Sequence, residues 1–504
     1  MNNSSTAGNL PAIERPENEA ILNDRRFFGH PRGLGALAAG NLFNSIAWSG
    51  VYAILIYYLY SPYTKGLGFS QGQAASMIAA MGACNSMFVI LGSWLADRLL
   101  GMRKAIIAGN IVKAAAFGIL AIPAFSMTQG RIFAFISLIL MSLPIMGASN
   151  SSLTGQLYRN GDSGRRDAAF TIHTVANNIA GLVTPVVIGF IGQHNYHIGF
   201  LISSAAALMY GLTILLTQHK FFGTIGDKPV NPVSVKDLKK ISVIAISILV
   251  TAVLLITGLV LKKVISFDGI MNIVVTFTFI IPIIFLTNLV RKKDISQADR
   301  NRLNPFLKLF LIQIVIALTG TMTSTAIAVF TEAKVNRVLF NITFAPATFT
   351  SVSQAYGLIL SPVFVWLWTN TKASRVKTTY KFGTGIFLYA FSYIVLAIPV
   401  LIGTYDKFSP MWLLGYYFIF GIGDNLTYPI GNSLTARLSP PNYETQMQTA
   451  WSQAGTIANG ISIILFKIFT TADSQLQLFP IMSAVLFVTG FLVFFLSKRV
   501  ERDI

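Results

Sequence analysis

The sequence predicts an all-α polytopic membrane protein, and three observations carry that assignment. Charged residues make up 11% of the chain and hydrophobic residues 53%, where soluble chains average about 25% charged. Mean hydropathy is +0.62. Apolar runs of about 20 residues recur along the whole length, each long enough to cross a hydrocarbon layer of about 30 Å as a helix. Such helices satisfy their own backbone hydrogen bonds, which lipid cannot do.

The formal charge of +19 does not make this a nucleic-acid binder. Its basic residues form no stripe and fall instead in short connections: "RLLGMRK" (98–104), "YRNGDSGRR" (158–166), "VRKKD" (290–294), "KASRVKTTYK" (372–381) and "SKRVERD" (497–503). Read as alternate loops, these cationic segments share one face and put it in the cytoplasm. Lys262 and Lys263 are left on the other face, which short loops tolerate. Cys84 is the sole cysteine and lies mid-helix among small residues, so it forms no intrachain disulfide and reads as packing. Residues 1–24 are polar, with no apolar signal core, and read as a disordered cytoplasmic tail.

The length criterion gives about fourteen spans. Six are expected near 34–60, 71–96, 104–125, 132–157, 168–192 and 197–217. A basic linker, "KPVNPVSVKDLKK" (228–240), leads to two strongly apolar helices at 241–261 and 268–290. Six more follow near 305–331, 347–369, 379–403, 411–437, 447–470 and 477–497. The inserted pair carries almost nothing polar in its centres and is expected to face lipid, whereas the other helices carry scattered Asn, Gln, Ser, Thr, Gly and Pro. That contrast predicts two six-helix bundles around a wet interior. The corresponding boundaries are a tail at 1–30, a first bundle at 31–220, a linker with the helix pair at 221–300, a second bundle at 301–498 and a tail at 499–504. A weak echo between "WLADRLLGMRKAI" (94–106) and "WLWTNTKASRVKTTYKF" (366–382) supports repeated halves, a common transporter plan with the site at the repeat interface.

Within the first span, "GNLFNSIAWSG" (40–50) puts Asn41, Asn44 and Ser45 one helical turn apart, a neutral polar stripe on an apolar helix. What such a stripe binds is the central question the sequence raises.

"GSWLADRLLGMRK" (92–104) resembles the motif between the second and third helices of the major facilitator superfamily, with Asp97, Arg98, Gly101, Arg103 and Lys104 in place. A carboxylate at a helix end beside a cationic loop forms ion pairs and meets a helix dipole, and the resemblance implies a charge-relay gate. More specifically, the chain is similar to the proton-coupled oligopeptide transporter family. "FFGHPRGL" (27–34) resembles its lead-in. "GQLYRNGDSGRRDAAFTIHTVANNIAGLVTPVV" (155–187) resembles its fourth-to-fifth helix signature through Arg165, Asp167, Phe170, Asn178 and Pro185. "FNITFAPATFTSVSQAYGLILSPVFVWLW" (340–368), "GDNLTYPIGNSLTARLSP" (423–440) and "MQTAWSQAGTIANG" (447–460) resemble its eighth, tenth and eleventh helices. The likeness runs from about residue 27 to 470 and implies the major facilitator fold, twelve core helices plus the inserted pair.

The departures fall at the family's working residues. Its first helix carries E-x-x-E-R, for proton transfer and for holding the peptide carboxylate; the aligned positions here are Asn41, Asn44 and Ser45. The fourth-helix lysine would fall in "PIMGASNSSL" (144–153), which has no cation. The seventh-helix glutamate would fall in "GTMTSTAIAVF" (320–330), which has no carboxylate. The eighth-helix asparagine aligns with Ser353, and 71–96 has no tyrosine. What remains is Asp424, at the position of the glutamate that meets the peptide amino group, with Asn178, Trp451 and Asn459.

An intramembrane carboxylate costs about 3 kcal/mol on insertion scales, so it faces a cavity or a partner. Asp424 therefore reads as an ammonium-binding or proton-accepting group, or as a helix–helix hydrogen bond to Asn425 or Asn432. His173 is a second proton-coupling candidate, since imidazole titrates near pH 6.5, or else a packing histidine. Lys113, about ten residues into its helix, is expected to snorkel toward the cytoplasmic interface. Glu332, Lys334 and Arg337 read as gate or loop charges at the outer end of the seventh family helix. The interior amides Asn85, Asn110, Asn177, Asn178 and Gln354 serve as interhelical glue or line a site for neutral polar groups. No metal-ligand spacing or nucleotide loop is present, so neither an enzyme, a metal nor a cofactor is expected.

Together these readings describe an atypical member of the family in the cell membrane, with both termini cytoplasmic. It would move short peptides or peptide-like solutes with altered or absent proton coupling, the solutes being blocked or neutral at the carboxyl end. Its partners are that small solute, the lipid bilayer and, where coupling persists, protons. The alternatives are a facilitator or exporter of a non-peptide polar solute, and a membrane sensor that kept the fold without transporting.

Overall fold

The computed structural model describes residues 18–503, apart from 160–161, 230–231, 233–246, 248–250, 252–257, 259–265, 293–296, 340, 373–375, 403–406 and 441–443. The first helix of the inserted pair, expected at 241–261, lies largely outside these residues. The described chain is a succession of helices: α1 (Glu19–Leu22), α2 (Arg32–Tyr60), α3 (Gln71–Leu95), α4 (Met102–Ala121), α5 (Met127–Met141), α6 (Ser149–Gly155), α7 (Ser163–His194), α8 (Tyr196–Phe222), α9 (Phe267–Val290), α10 (Gln297–Ser324), α11 (Ala326–Lys334), α12 (Thr348–Asn370), α13 (Thr378–Ile402), α14 (Pro410–Leu438), α15 (Glu444–Ile468), α16 (Ala472–Leu476) and α17 (Leu478–Asp503). A two-stranded antiparallel ribbon, β1 (Val338–Leu339) and β2 (Ile342–Thr343), is inserted before α12.

Among the described residues nine helices are both long and apolar enough to cross a membrane. Helices α14 and α15 match them in length, with 29 and 25 residues, but are not among the nine. They carry Asp424, Asn425, Gln453 and Asn459. Their polar side chains lower the hydropathy of these two helices.

The chain divides into two compact units, one of residues 1–52 with 88–266 and the other of residues 53–87 with 267–504. In the first unit, α8 packs along α4, tied by Ser204 Oγ donating to Ala114 O at 2.7 Å and by His197 Nδ1 2.8 Å from Leu120 O. On the other side Ser137 of α5 donates to Ala116 O at 2.7 Å. Gly40 lets α2 lie directly on α8, because a Cβ there would sit 2.1 Å from the Tyr210 ring. Close approach through small residues is how membrane helices gain contact where lipid supplies no hydrophobic drive.

The lead-in "FFGHPRGL" folds onto this unit. His30 Nδ1 lies 2.8 Å from the Tyr158 hydroxyl, and Arg165 Nε donates to Gly29 O at 3.1 Å. Burial, and then the charge of Arg165, hold the His30 pKa below its ordinary value, so the imidazole stays neutral.

Two expected spans are broken. The helix anticipated over 132–157 is α5 and α6 with an irregular stretch between, because Pro144 lacks the N–H a helix needs and Gly147 turns the chain at φ +49°. The break nests against α3. A Cβ on Gly92 would lie 1.7 Å from Pro144 O, and Ser93 Oγ accepts from Ala148 N at 3.1 Å, satisfying a donor at the start of α6. The helix anticipated over 305–331 is likewise interrupted at Thr325, which separates α10 from α11.

In the second unit α13 runs between α14 and α17, with a core of Phe382, Tyr389, Tyr393, Tyr416, Tyr417 and Phe479, all nearly inaccessible. The end of α2 and most of α3 belong to this unit. Gly72 N donates to Thr470 O at 2.9 Å, and Gln71 Oε1 accepts from Ala472 N at 2.5 Å.

Gly92→Leu is expected to push the Pro144 carbonyl off α3 and destabilise the fold by about 1–3 kcal/mol, as overpacking does. Size-exclusion chromatography after a heating series measures this; an unchanged melting point would show that α3 does not hold the α5–α6 break.

Candidate functional site

Each unit carries its own polar cluster among its helices. In the first unit the neutral stripe of α2 is fully engaged. Asn41 Nδ2 donates to Asn177 Oδ1 at 2.7 Å and to His173 O at 3.3 Å. Ser45 Oγ donates to the same Asn177 oxygen at 2.5 Å. Asn150 of α6 donates to Asn41 Oδ1 at 3.4 Å while its own oxygen accepts from the buried Tyr210 hydroxyl at 2.8 Å. The α5–α6 break and the Gly40–Tyr210 contact bring Asn150 and Tyr210 to the stripe.

Asn44, one turn from Asn41, faces a different partner. Its Oδ1 accepts from Lys113 Nζ, which also donates to Asn110 Oδ1 at 3.4 Å and lies 5.6 Å from the centroid of the Trp48 ring. The Lys113 head thus sits beside the stripe within α4, rather than snorkelling to an interface as its position in the helix suggests. Three acceptors explain the difference: two amide oxygens and an aromatic face hold an ammonium that lipid would not.

His173 is buried. Its Nε2 lies 3.0 Å from Thr154 Oγ1, whose hydroxyl hydrogen goes to Asn150 O at 2.8 Å. Thr154 therefore accepts from His173, which puts the ring hydrogen on Nε2 and leaves Nδ1 bare and buried. Asn178 is half-buried and makes none of the bonds to α2; Asn177 makes them, about 100° away around the helix.

In the second unit Asp424 Oδ1 accepts from the Tyr389 hydroxyl at 2.9 Å, and Thr427 Oγ1 lies 2.8 Å from the same phenol oxygen. Tyr389 is buried, whereas Asp424 keeps an exposed face. The partner is thus a tyrosine on α13, and neither neighbouring amide takes that place. Asn425 donates to Gly421 O at 2.9 Å and accepts from Ser361 at 3.0 Å, while the Asn432 carbonyl accepts from Gln448 at 3.0 Å.

The remaining candidates of this unit lie apart from that pair. Trp451 is buried with Phe306, its ring against Gly431. Asn459 Oδ1 accepts from Thr321 Oγ1 at 2.9 Å, and Ser353 is half-buried on α12.

The charges expected to form a gate have partners that the sequence reading did not name. Arg103 is buried, with Nη1 donating to Gln218 O at 2.8 Å and Nη2 3.4 Å from Asp227 Oδ1; Lys104 reaches the same carboxylate at 3.9 Å. Asp97 and Arg98 are exposed on the π-helical turn Ala96–Leu100. At the end of α11 Glu332 accepts from the Tyr60 hydroxyl, and Lys334 Nζ lies 2.5 Å from Asp473 Oδ1.

Comparison with known proteins places this arrangement. A sequence model described as "POT family" matches residues 103–483. The chain belongs to the POT family. It is 28% identical over 489 residues to a "Di-/tripeptide transporter" of Lactococcus lactis subsp. cremoris, covering 95% of this chain and 97% of that one. It is also 28% identical to the "Uncharacterized transporter YclF" of Bacillus subtilis (strain 168), over 96% of this chain and 98% of the relative. The crystal structure of a point mutant of a peptide transporter POT, in complex with alafosfalin, superposes with a TM-score of 0.87 at 28% identity, covering 95% and 96% of the two chains. A POT family transporter "in complex with 5-aminolevulinic acid" superposes with a TM-score of 0.86 at 27% identity over 94% and 98%. The POT fold is the major facilitator architecture, and this chain is a multi-pass membrane protein of that architecture.

The sequence reading missed Tyr389, Asn150 and Tyr210, and set Lys113 aside. Only Lys113 left a signal: a lysine deep in an apolar run. The others are common helix residues whose role comes from the neighbour they face.

Asn177→Ala is expected to strip the acceptor shared by Asn41 and Ser45 and to cost about 1–2 kcal/mol, near the value of intramembrane side-chain hydrogen bonds. Asn178→Ala is expected to cost less than half as much. Unfolding by SDS titration compares the two, and equal effects would remove the special place of Asn177.

Proposed function

We propose that this POT family member carries short peptides or peptide-like solutes across the cell membrane by alternating access, receiving the solute's amino group at Asp424. The observation that carries the reading is the Asp424–Tyr389 pair. Tyr389 holds one carboxylate oxygen at 2.9 Å, and the residue keeps an exposed face midway along a 29-residue helix. A carboxylate oriented by one hydrogen bond retains lone pairs for an ammonium. The names of the relatives support the solute class.

The reading puts both termini in the cytoplasm, which the cationic loops around 98–104, 158–166 and 372–381 support. That orientation makes Arg103, Lys104 and Asp227 cytoplasmic gate charges, with Asp97 and Arg98 exposed beside them. It makes the Tyr60–Glu332 and Lys334–Asp473 pairs external ones.

Proton coupling through the first helix is absent in this reading, because Asn41, Asn44 and Ser45 hold no titratable group. His173 donates to Thr154 and serves packing. Asp424 is then the group through which coupling persists, if transport is concentrative.

Reconstitution into proteoliposomes tests this. Labelled di- and tripeptides are expected to enter vesicles containing the chain, and Asp424→Asn to reduce uptake at least about ten-fold, the loss of a charge-assisted hydrogen bond. Accumulation only under an inward proton gradient would show that coupling runs through groups outside the first helix, with Asp424 the first to test; equilibration regardless of the gradient would make the protein a facilitator. Absence of uptake in both conditions would overturn the peptide reading and favour a non-peptide solute or a sensor.

A further inference from the structure

The neutral stripe on α2 leaves the family's carboxylate-holding positions without a cation, yet the first unit contains one next to them. Lys113 Nζ donates to Asn44 Oδ1 and to Asn110 Oδ1, and it lies over the Trp48 ring, itself braced edge-on by Phe117 at 5.5 Å. Asn110 is wholly buried, and its amide orientation is set by its own helix: Nδ2 donates to Ile106 O at 2.8 Å, which turns Oδ1 toward the lysine. The cradle is therefore built from fixed neutral acceptors.

Two features of this cradle call for a ligand. An ammonium has three donors, and two are used on amide oxygens. Among the described residues no carboxylate forms an ion pair with Lys113. Amide oxygens and a ring face orient a cation but leave its charge uncompensated within a membrane-crossing helix, where an unpaired charge is expensive. An anion arriving there gains a charge-assisted hydrogen bond and relieves that expense.

We propose that Lys113 receives the carboxylate of the transported solute. This rests on the reading of the chain as a transporter of peptides and peptide-like solutes, and it reverses the expectation that the solute is blocked or neutral at its carboxyl end. The anion-holding cation has moved to α4, and Asn44 positions it where the family's first helix carries charge. Asn44 contributes an acceptor for Lys113 without a competing negative charge, so the cation stays available to the ligand.

The test uses the purified full-length chain and two probes, trialanine and trialanine amide, with affinity read by thermophoresis or calorimetry. Wild type is expected to bind the free acid about ten-fold or more tighter than the amide. Lys113→Gln is expected to bring that ratio to about one, and Lys113→Arg to keep part of it. Should Lys113→Gln fail to fold, Asn44→Asp serves instead. It supplies an internal counter-anion to Lys113 and is expected to lower the acid-to-amide ratio in the same direction. A ratio unchanged in Lys113→Gln or in Asn44→Asp overturns the assignment while leaving the peptide reading intact. A wild-type ratio of one also overturns it alone, and binding of neither probe overturns both.

Discussion

A polar side chain in a membrane-crossing helix must be answered by another protein group, because lipid offers no partner. That constraint organises both clusters. Asn41 and Ser45 converge on the single oxygen of Asn177, Asn150 joins Asn41 to Tyr210, and Tyr389 answers Asp424. Each bond ties one helix to another, so the chemistry-bearing residues are also the ones that set helix rotation. The packing glycine at position 40 and the α5–α6 break have the same purpose, since without them the partners would not reach.

The same constraint bears on the reading of the first long helix as one whose family charges are replaced by neutral groups. Carboxylates and an arginine within a bilayer are held only by one another; removing one member leaves the others costly. Here the replacements are concerted. Asn41 and Ser45 close on the neutral amides of Asn177 and Asn150, while Asn44 accepts from the Lys113 ammonium. In the second unit, Asp424 keeps a negative charge oriented by a phenol. Asp424 in the second unit and Lys113 in the first are thus each held by neutral partners.

Fold and family were legible because they depend on features that add along the sequence. Hydropathy runs specify spans, and the 92–104 and 155–187 motifs specify the family. The breaks at Pro144 and Thr325 were not read, for different reasons. Pro144 sits in a run apolar enough to count as one span, while Thr325 carries no helix-breaking signature and is bent by its packing.

The sequence alone determined that this is a helical membrane protein of the POT type, that its first long helix carries two amides and a hydroxyl at 41, 44 and 45, and that a carboxylate stands at 424. Composition and motif register are properties of the chain itself. Tertiary structure decided which of the many amides matter, that Tyr389 orients Asp424, that Asn177 rather than Asn178 meets α2, and that Lys113 turns to Asn44. Those outcomes depend on the rotation of each helix about its axis, where one residue is about 100°. Rotation is set by contacts with neighbouring helices, which no single stretch of sequence contains.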